Sequence, residues 1–192
     1  MANNTILYGS TNTYSLDGSQ VEGVKVTIPF PKKSAIVRHP NSEETLNFFK
    51  DDKKKRTREE KAEEFFKLIR LDQSGEAFDE YEAVAVVDTF TKSSVGGLER
   101  IGDDYAITVT TPFGDTTHTL SIPTQKQLAL FRRNAYQNYV TGVSTFYDQL
   151  LKSTEGYVDG FKVPVYHKLD AVSAIMNAID AIDPIVSLDP NE

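Results

Sequence analysis

The chain has 192 residues, 39% of them hydrophobic and 26% charged, with a formal net charge of −7 and no cysteine. That length and balance suit a folded globular protein rather than a disordered one. The missing cysteines exclude disulfides, zinc–thiolate and iron–sulfur sites and a thiol nucleophile, and the acidic balance argues against binding nucleic acid by bulk charge.

The first residues, Met1 to Tyr8, lack the basic and apolar regions of a signal peptide, so the sequence predicts synthesis in the cytoplasm. No window reaches the ~20 apolar residues of a membrane span. Residues 1–22 read as an N-terminal extension. Within it, Tyr14-Ser15-Leu16-Asp17-Gly18 carries a turn signal and is able to add a strand.

From residue 23 the chain repeats itself. At an offset of 83, Val26-Thr27-Ile28-Pro29-Phe30 lies on Val109-Thr110-Thr111-Pro112-Phe113, Pro40 on Pro123 and Phe48 on Phe131. Each Val-Thr-x-Pro-Phe run predicts a β-hairpin with its turn at Pro-Phe, since proline cannot donate to a ladder. Asn41-Ser42-Glu43-Glu44 and Thr124-Gln125-Lys126-Gln127 then both fit capping boxes that start a helix. Further on, Phe65-Phe66 matches Phe146-Tyr147 at helical spacing. Gly75 and Gly156 read as the glycines that end those helices. A third helix is expected in each copy, near 77–90 and 167–182, the second stopped by Pro184. The expected fold class is therefore α+β, two tandem copies of a β-hairpin followed by two to three helices. The boundaries are 23–90 for copy one, 91–104 for a Gly/Ser linker, 105–186 for copy two and 187–192 for a polar tail. Two separate domains and one pseudo-symmetric domain with a shared core both fit.

Catalytic signatures are absent from the sequence. It has no Gly-x-Ser-x-Gly, phosphate loop or dinucleotide fingerprint, and His39, His118 and His167 show no metal-ligand spacing. The histidines read as polar surface or turn positions. No catalytic residue, metal ligand or cofactor is expected. An enzyme would require carboxylates and histidines that converge only in the fold. The basic run Lys53, Lys54, Lys55, Arg56 and Arg58 is the candidate nucleic-acid contact. Its acidic flanks Asp51-Asp52 and Glu59-Glu60 instead favour a solvated face of ion pairs. Thr57-Arg58-Glu59-Glu60 fits a further capping box, which places the run at a helix–helix junction. The aromatics Phe48, Phe49, Phe65, Phe66, Phe78, Tyr81, Phe131, Tyr136, Tyr139, Phe146 and Tyr147 read as core. The apolar face of 169–179 reads as packing on the other copy, or as a face for a partner.

Phe146-Tyr147-Asp148-Gln149-Leu150-Leu151, leading to Glu155-Gly156-Tyr157 and then Val163-Pro164-Val165-Tyr166-His167-Lys168, resembles small structural and tail-assembly proteins of tailed bacteriophages. The resemblance covers mainly 123–182 and more loosely copy one, which lacks the Tyr-His-Lys stretch. It implies a non-enzymatic bacteriophage virion or assembly component. Its partners would be other structural proteins or copies of itself, with no membrane. It would be found in the host cytoplasm at synthesis and in the virion thereafter.

Overall fold

The computed structural model describes residues 7–49 and 55–182 and shows a mixed α+β fold. A three-stranded antiparallel sheet holds β1 (Asn12–Leu16), β2 (Ser19–Ile28) and β3 (Lys33–Val37). Three helices follow: α1 (Ser42–Phe49), α2 (Arg58–Ile69) and α3 (Glu80–Thr91). A four-stranded antiparallel sheet holds β4 (Ser94–Ile101), β5 (Asp104–Thr111), β6 (Gly114–Ser121) and β7 (Leu151–Glu155), in that order. Helices α4 (Gln125–Gln137) and α5 (Tyr139–Leu150) precede β7, and α6 (Val165–Ile182) comes last.

Local chemistry accounts for most of these starts and stops. Asp17 and Gly18, both at positive φ, turn β1 into β2, as a two-residue hairpin requires. Pro112-Phe113 is the two-residue turn between β5 and β6. Asn41 and Glu44 exchange side chain-to-backbone bonds of 2.8 and 2.9 Å ahead of α1. The same reciprocal box caps α2 (Thr57, Glu60), α3 (Asp79, Glu82) and α4 (Thr124, Gln127).

Three expectations change. Residues 91–104 are not a linker: Ser94–Ile101 pairs with β5 along its length, and Gly96 is spent on a bulge between Val95 and Gly97. Gly75 and Gly156 do not end helices. The helices stop at Ile69 and Leu150 because the next residues leave for a strand. Arg70 bridges Val37, and Leu151–Glu155 joins β6 as β7. Residues 1–22 are not an appendage either, since β1 and the start of β2 lie within them and Tyr8 bridges Tyr157. Pro184 and the tail 187–192 lie outside the described residues.

Two apolar cores result. Val26, Ile28, Ala35 and Val37 of β2–β3 pack with Ala62, Phe65, Phe66 and Ile69 of α2 and Ala83, Val86, Val87 and Phe90 of α3. Tyr105, Ile107, Val109 and Leu120 of β5–β6 pack with α4, α5 and α6. The face of α6 expected to meet the other half packs mainly within its own, on α5, β4 and β5, and touches α1. Tyr81, Tyr136 and Tyr139 are not core: they are 69%, 93% and 58% exposed, Tyr136 and Tyr139 flanking the α4–α5 corner at Asn138.

That corner is tight. A Cβ on Gly142 of α5 would lie 2.7 Å from the Ala135 backbone nitrogen. Gly→Ala inside a helix ordinarily gains up to ~1 kcal/mol. Here Gly142→Ala should instead lose about 1–3 kcal/mol through overpacking, read as a lowered urea midpoint.

Candidate functional site

All three histidines, placed apart by the sequence, meet in one layer between the two cores. Tyr8 enters it as a strap. Its N–H donates to the Gly156 carbonyl at 2.7 Å, and its carbonyl accepts from the Val158 N–H at 2.9 Å. Its ring then lies 5.4 Å from His39 and 4.8 Å from His167, with Phe113, Tyr157 and Phe161 within 5.7 Å. His39 comes from the loop after β3, His118 from β6, and Tyr166-His167 from the first turn of α6. The His118 and His167 rings are 6.1 Å apart.

The polar atoms form a chain of bonds. The Thr116 hydroxyl donates to the Val109 carbonyl at 3.3 Å, so its oxygen is left to accept from His118 Nε2 at 3.1 Å. Protonation at Nε2 leaves His118 Nδ1 to accept from the Tyr147 hydroxyl at 2.6 Å. The Tyr157 hydroxyl is the hub, 3.2 Å from His118 Nε2 and bonded to His167 Nδ1. The Tyr8 and Tyr166 hydroxyls bond to each other. His39 Nε2 donates to the Ser10 carbonyl at 3.2 Å. His39 Nδ1 and His167 Nε2 are buried without a partner.

Burial sets the charge state. His118 and His167 are fully buried, which overturns their reading as surface positions. Desolvation lowers His118 to about 4; desolvation, with His118 beside it, lowers His167 to about 3. Burial likewise lowers His39 and raises Tyr8, Tyr147, Tyr157 and Tyr166 far above the ordinary tyrosine value. Charges beside the layer are Asp148 and Lys168, paired with each other at 2.6 Å, and Asp170, which bonds Ser93. At neutral pH the layer is uncharged.

This arrangement holds two bodies in one register. Among the described residues no carboxylate bonds any of the three histidines, and no group of three or more His, Asp or Glu is placed to hold a metal ion. Of the described clefts, the one along β2 borders the layer at Ser10 and Phe113, and the others lie between α1 and α2, beside α6 and against β3.

The basic run falls differently. Lys53 and Lys54 lie outside the described residues. Lys55 is exposed at the α1–α2 junction, Arg56 pairs with Glu64, and Arg58 pairs with Asp88. The capping box at Thr57 places this junction as expected.

The layer has no spacing signature, because its members come from six separated segments. One trace exists: Val163–Lys168, the stretch that copy one lacks, supplies Tyr166 and His167. No helix among the described residues is long and apolar enough to cross a membrane. No family model, curated protein or solved structure matches this chain.

Two measurements test the layer. Tyr157→Phe removes the hub hydroxyl and should cost about 1–3 kcal/mol by leaving buried His167 Nδ1 unpaired, whereas Tyr136→Phe at an exposed site should change nothing measurable. The pH dependence has a fixed sign. Because the folded histidines sit below the ordinary 6.5, their stability is fully present above that pH. It should fall as pH drops from 6.5 toward about 4 and about 3, by about 1.4 kcal/mol per pH unit for each buried histidine. Urea midpoints at pH 8, 6 and 5 read this directly.

Proposed function

We propose that this chain is a non-catalytic structural or assembly protein that acts through protein–protein contacts, of the kind found in bacteriophage virions and tails. The observation that carries the reading is the use made of its histidines and buried tyrosines. The groups best suited to proton transfer are closed between two cores, uncharged and bonded to one another. They fix geometry, which is the requirement of an assembly component. Both halves set three antiparallel strands ahead of helices, the second with β7 added between α5 and α6, a build that suits such components. The phage assignment rests on the resemblance of 146–168.

Binding of nucleic acid through Lys53 to Arg58 is the weaker reading, since Arg56 and Arg58 are already ion-paired. Absolute mass by light scattering, over a wide concentration range, tests the proposal. Species heavier than the 21.4 kDa monomer should appear and grow with concentration. A strict monomer that also forms no stable complex with another protein would remove the reading.

A further inference from the structure

The two hairpins that the offset of 83 superposes differ in what covers one edge. In the second half β4 runs along β5, with Ser94 opposite Thr110, Val95 opposite Val109 and Gly97 opposite Thr108. The matched residues of β2 are Thr27, Val26 and Lys25. There β1 stops short, its pairing with β2 ending at Asn12 opposite Gly23. The chain ahead of Asn12 turns away to the seam, where Tyr8 bonds Gly156 and Val158. Among the described residues no segment pairs with Lys25 or Thr27 on that side.

Strand parity decides which backbone groups are left over. In β3 the Ile36 carbonyl accepts from the Leu71 N–H at 2.8 Å and the Arg38 N–H donates to the Ile69 carbonyl at 2.9 Å, so both point away from β2. The alternate residues Ala35 and Val37 therefore bond β2, at Val26 and Val24. The N–H and C=O groups of Lys25 and Thr27 face the other way, toward the cleft that Leu7, Thr11, Thr89 and Phe113 line with them. Lysine commonly guards an open edge, but the Lys25 side chain is exposed on the face opposite Val26 and leaves its own backbone bare.

We propose that this edge takes an extended segment of another protein as an added antiparallel strand, in the place that β4 holds on β5. The proposal rests on the assembly reading above and names the surface that reading uses. The chemistry of the occupant follows from β4, because both edges display the same pair, Val26-Thr27 and Val109-Thr110. Its backbone bonds Lys25 and Thr27. A β-branched residue, as Val95 is, lies opposite Val26 on the face walled by Thr89 and Phe113, and small residues, as Ser94 and Gly97 are, flank it. The chain's own β4 is already paired with β5, so the segment comes from a different protein.

The probe is an end-blocked, fluorescein-labelled peptide copying residues 91–97, added to the whole chain, with binding read by anisotropy and backbone amide exchange by NMR. In the chain alone, at low concentration, the Lys25 and Thr27 amides should exchange fast, and those of Val24 and Val26, bonded to β3, slowly. The peptide should bind saturably and slow Lys25 and Thr27 at least tenfold, leaving Val24 and Val26 unchanged. Methylating the peptide nitrogen at the Ser94 position removes a backbone donor and no side chain. It should weaken binding at least tenfold with the protein untouched. The proposal is overturned by no saturable binding, by protection of other amides instead, or by equal affinity for the methylated peptide. Protection of Lys25 and Thr27 in the chain alone overturns it too. At every concentration this means that the edge is covered from within the chain, and at high concentration only, that a second copy covers it. The assembly reading is decided separately, by light scattering and partner binding. A chain that takes the peptide as described but neither self-associates nor binds a protein partner keeps the strand site and loses that reading.

Discussion

Everything between the two cores follows from one constraint: the polar atoms in that layer have no bulk water and must satisfy one another uncharged. His118, His167 and four tyrosines do most of this by sharing hydroxyls, while His39 bonds the Ser10 carbonyl and His39 Nδ1 and His167 Nε2 are left bare. Each such bond fixes a distance and an angle between segments far apart in sequence. An apolar interface of the same area would tolerate sliding; this one does not, since a shift of an ångström or two leaves a buried donor or acceptor bare. The strap at Tyr8 adds two backbone bonds to the same seam. Its chain then continues into β1 of the first sheet, so one segment stitches both bodies.

The halves on either side of the seam follow one plan with different lengths. In each, the chain leaving the second helix returns to the outer strand of the hairpin. In the first half this is a brief bridge, Arg70 to Val37 with Leu71 donating to the Ile36 carbonyl at 2.8 Å. In the second it lengthens into β7. Likewise β1 covers only the first part of β2, whereas β4 runs along the whole of β5. The part of β2 that β1 leaves uncovered, at Val24–Thr27, borders the cleft near Phe113. The shorter sheet thus leaves room for the neighbour's tip where the longer one is covered by its own strand.

What could be read from the sequence was the part that local chemistry decides. Capping boxes at Asn41, Thr57 and Thr124 and the turns at Asp17-Gly18 and Pro112-Phe113 involve residues two or three positions apart, so their partners are visible in the string. The misreadings share a different cause. Gly75 and Gly156 look like helix ends, but a strand pairing from a distant segment takes the backbone first. Gly96-Gly97 looks like a linker, but β5 recruits it as an edge. His118 and His167 look like surface residues because their partners, Tyr147 and Tyr157, are 29 and 10 residues away from them with no periodic relation. Tyr136 and Tyr139 fit helical core spacing, yet the corner at Asn138 turns them outward.

The residues that make the seam differ between the halves. His118, Tyr147, Tyr157, Tyr166 and His167 all belong to the second half, while the first contributes His39 and the strap contributes Tyr8. At the position matched by the offset, the second half has Ile122 in place of His39, and the first has no counterpart to the Tyr166-His167 stretch. A contact between two like halves cannot be made by the same surface on both unless a twofold axis relates them. Here one half presents a tip and the other receives it, so each must keep a different surface for the seam. The same asymmetry leaves two surfaces over: the first half's tip, with Phe30 exposed, and the second half's edge, with Val95 and Leu98 half covered.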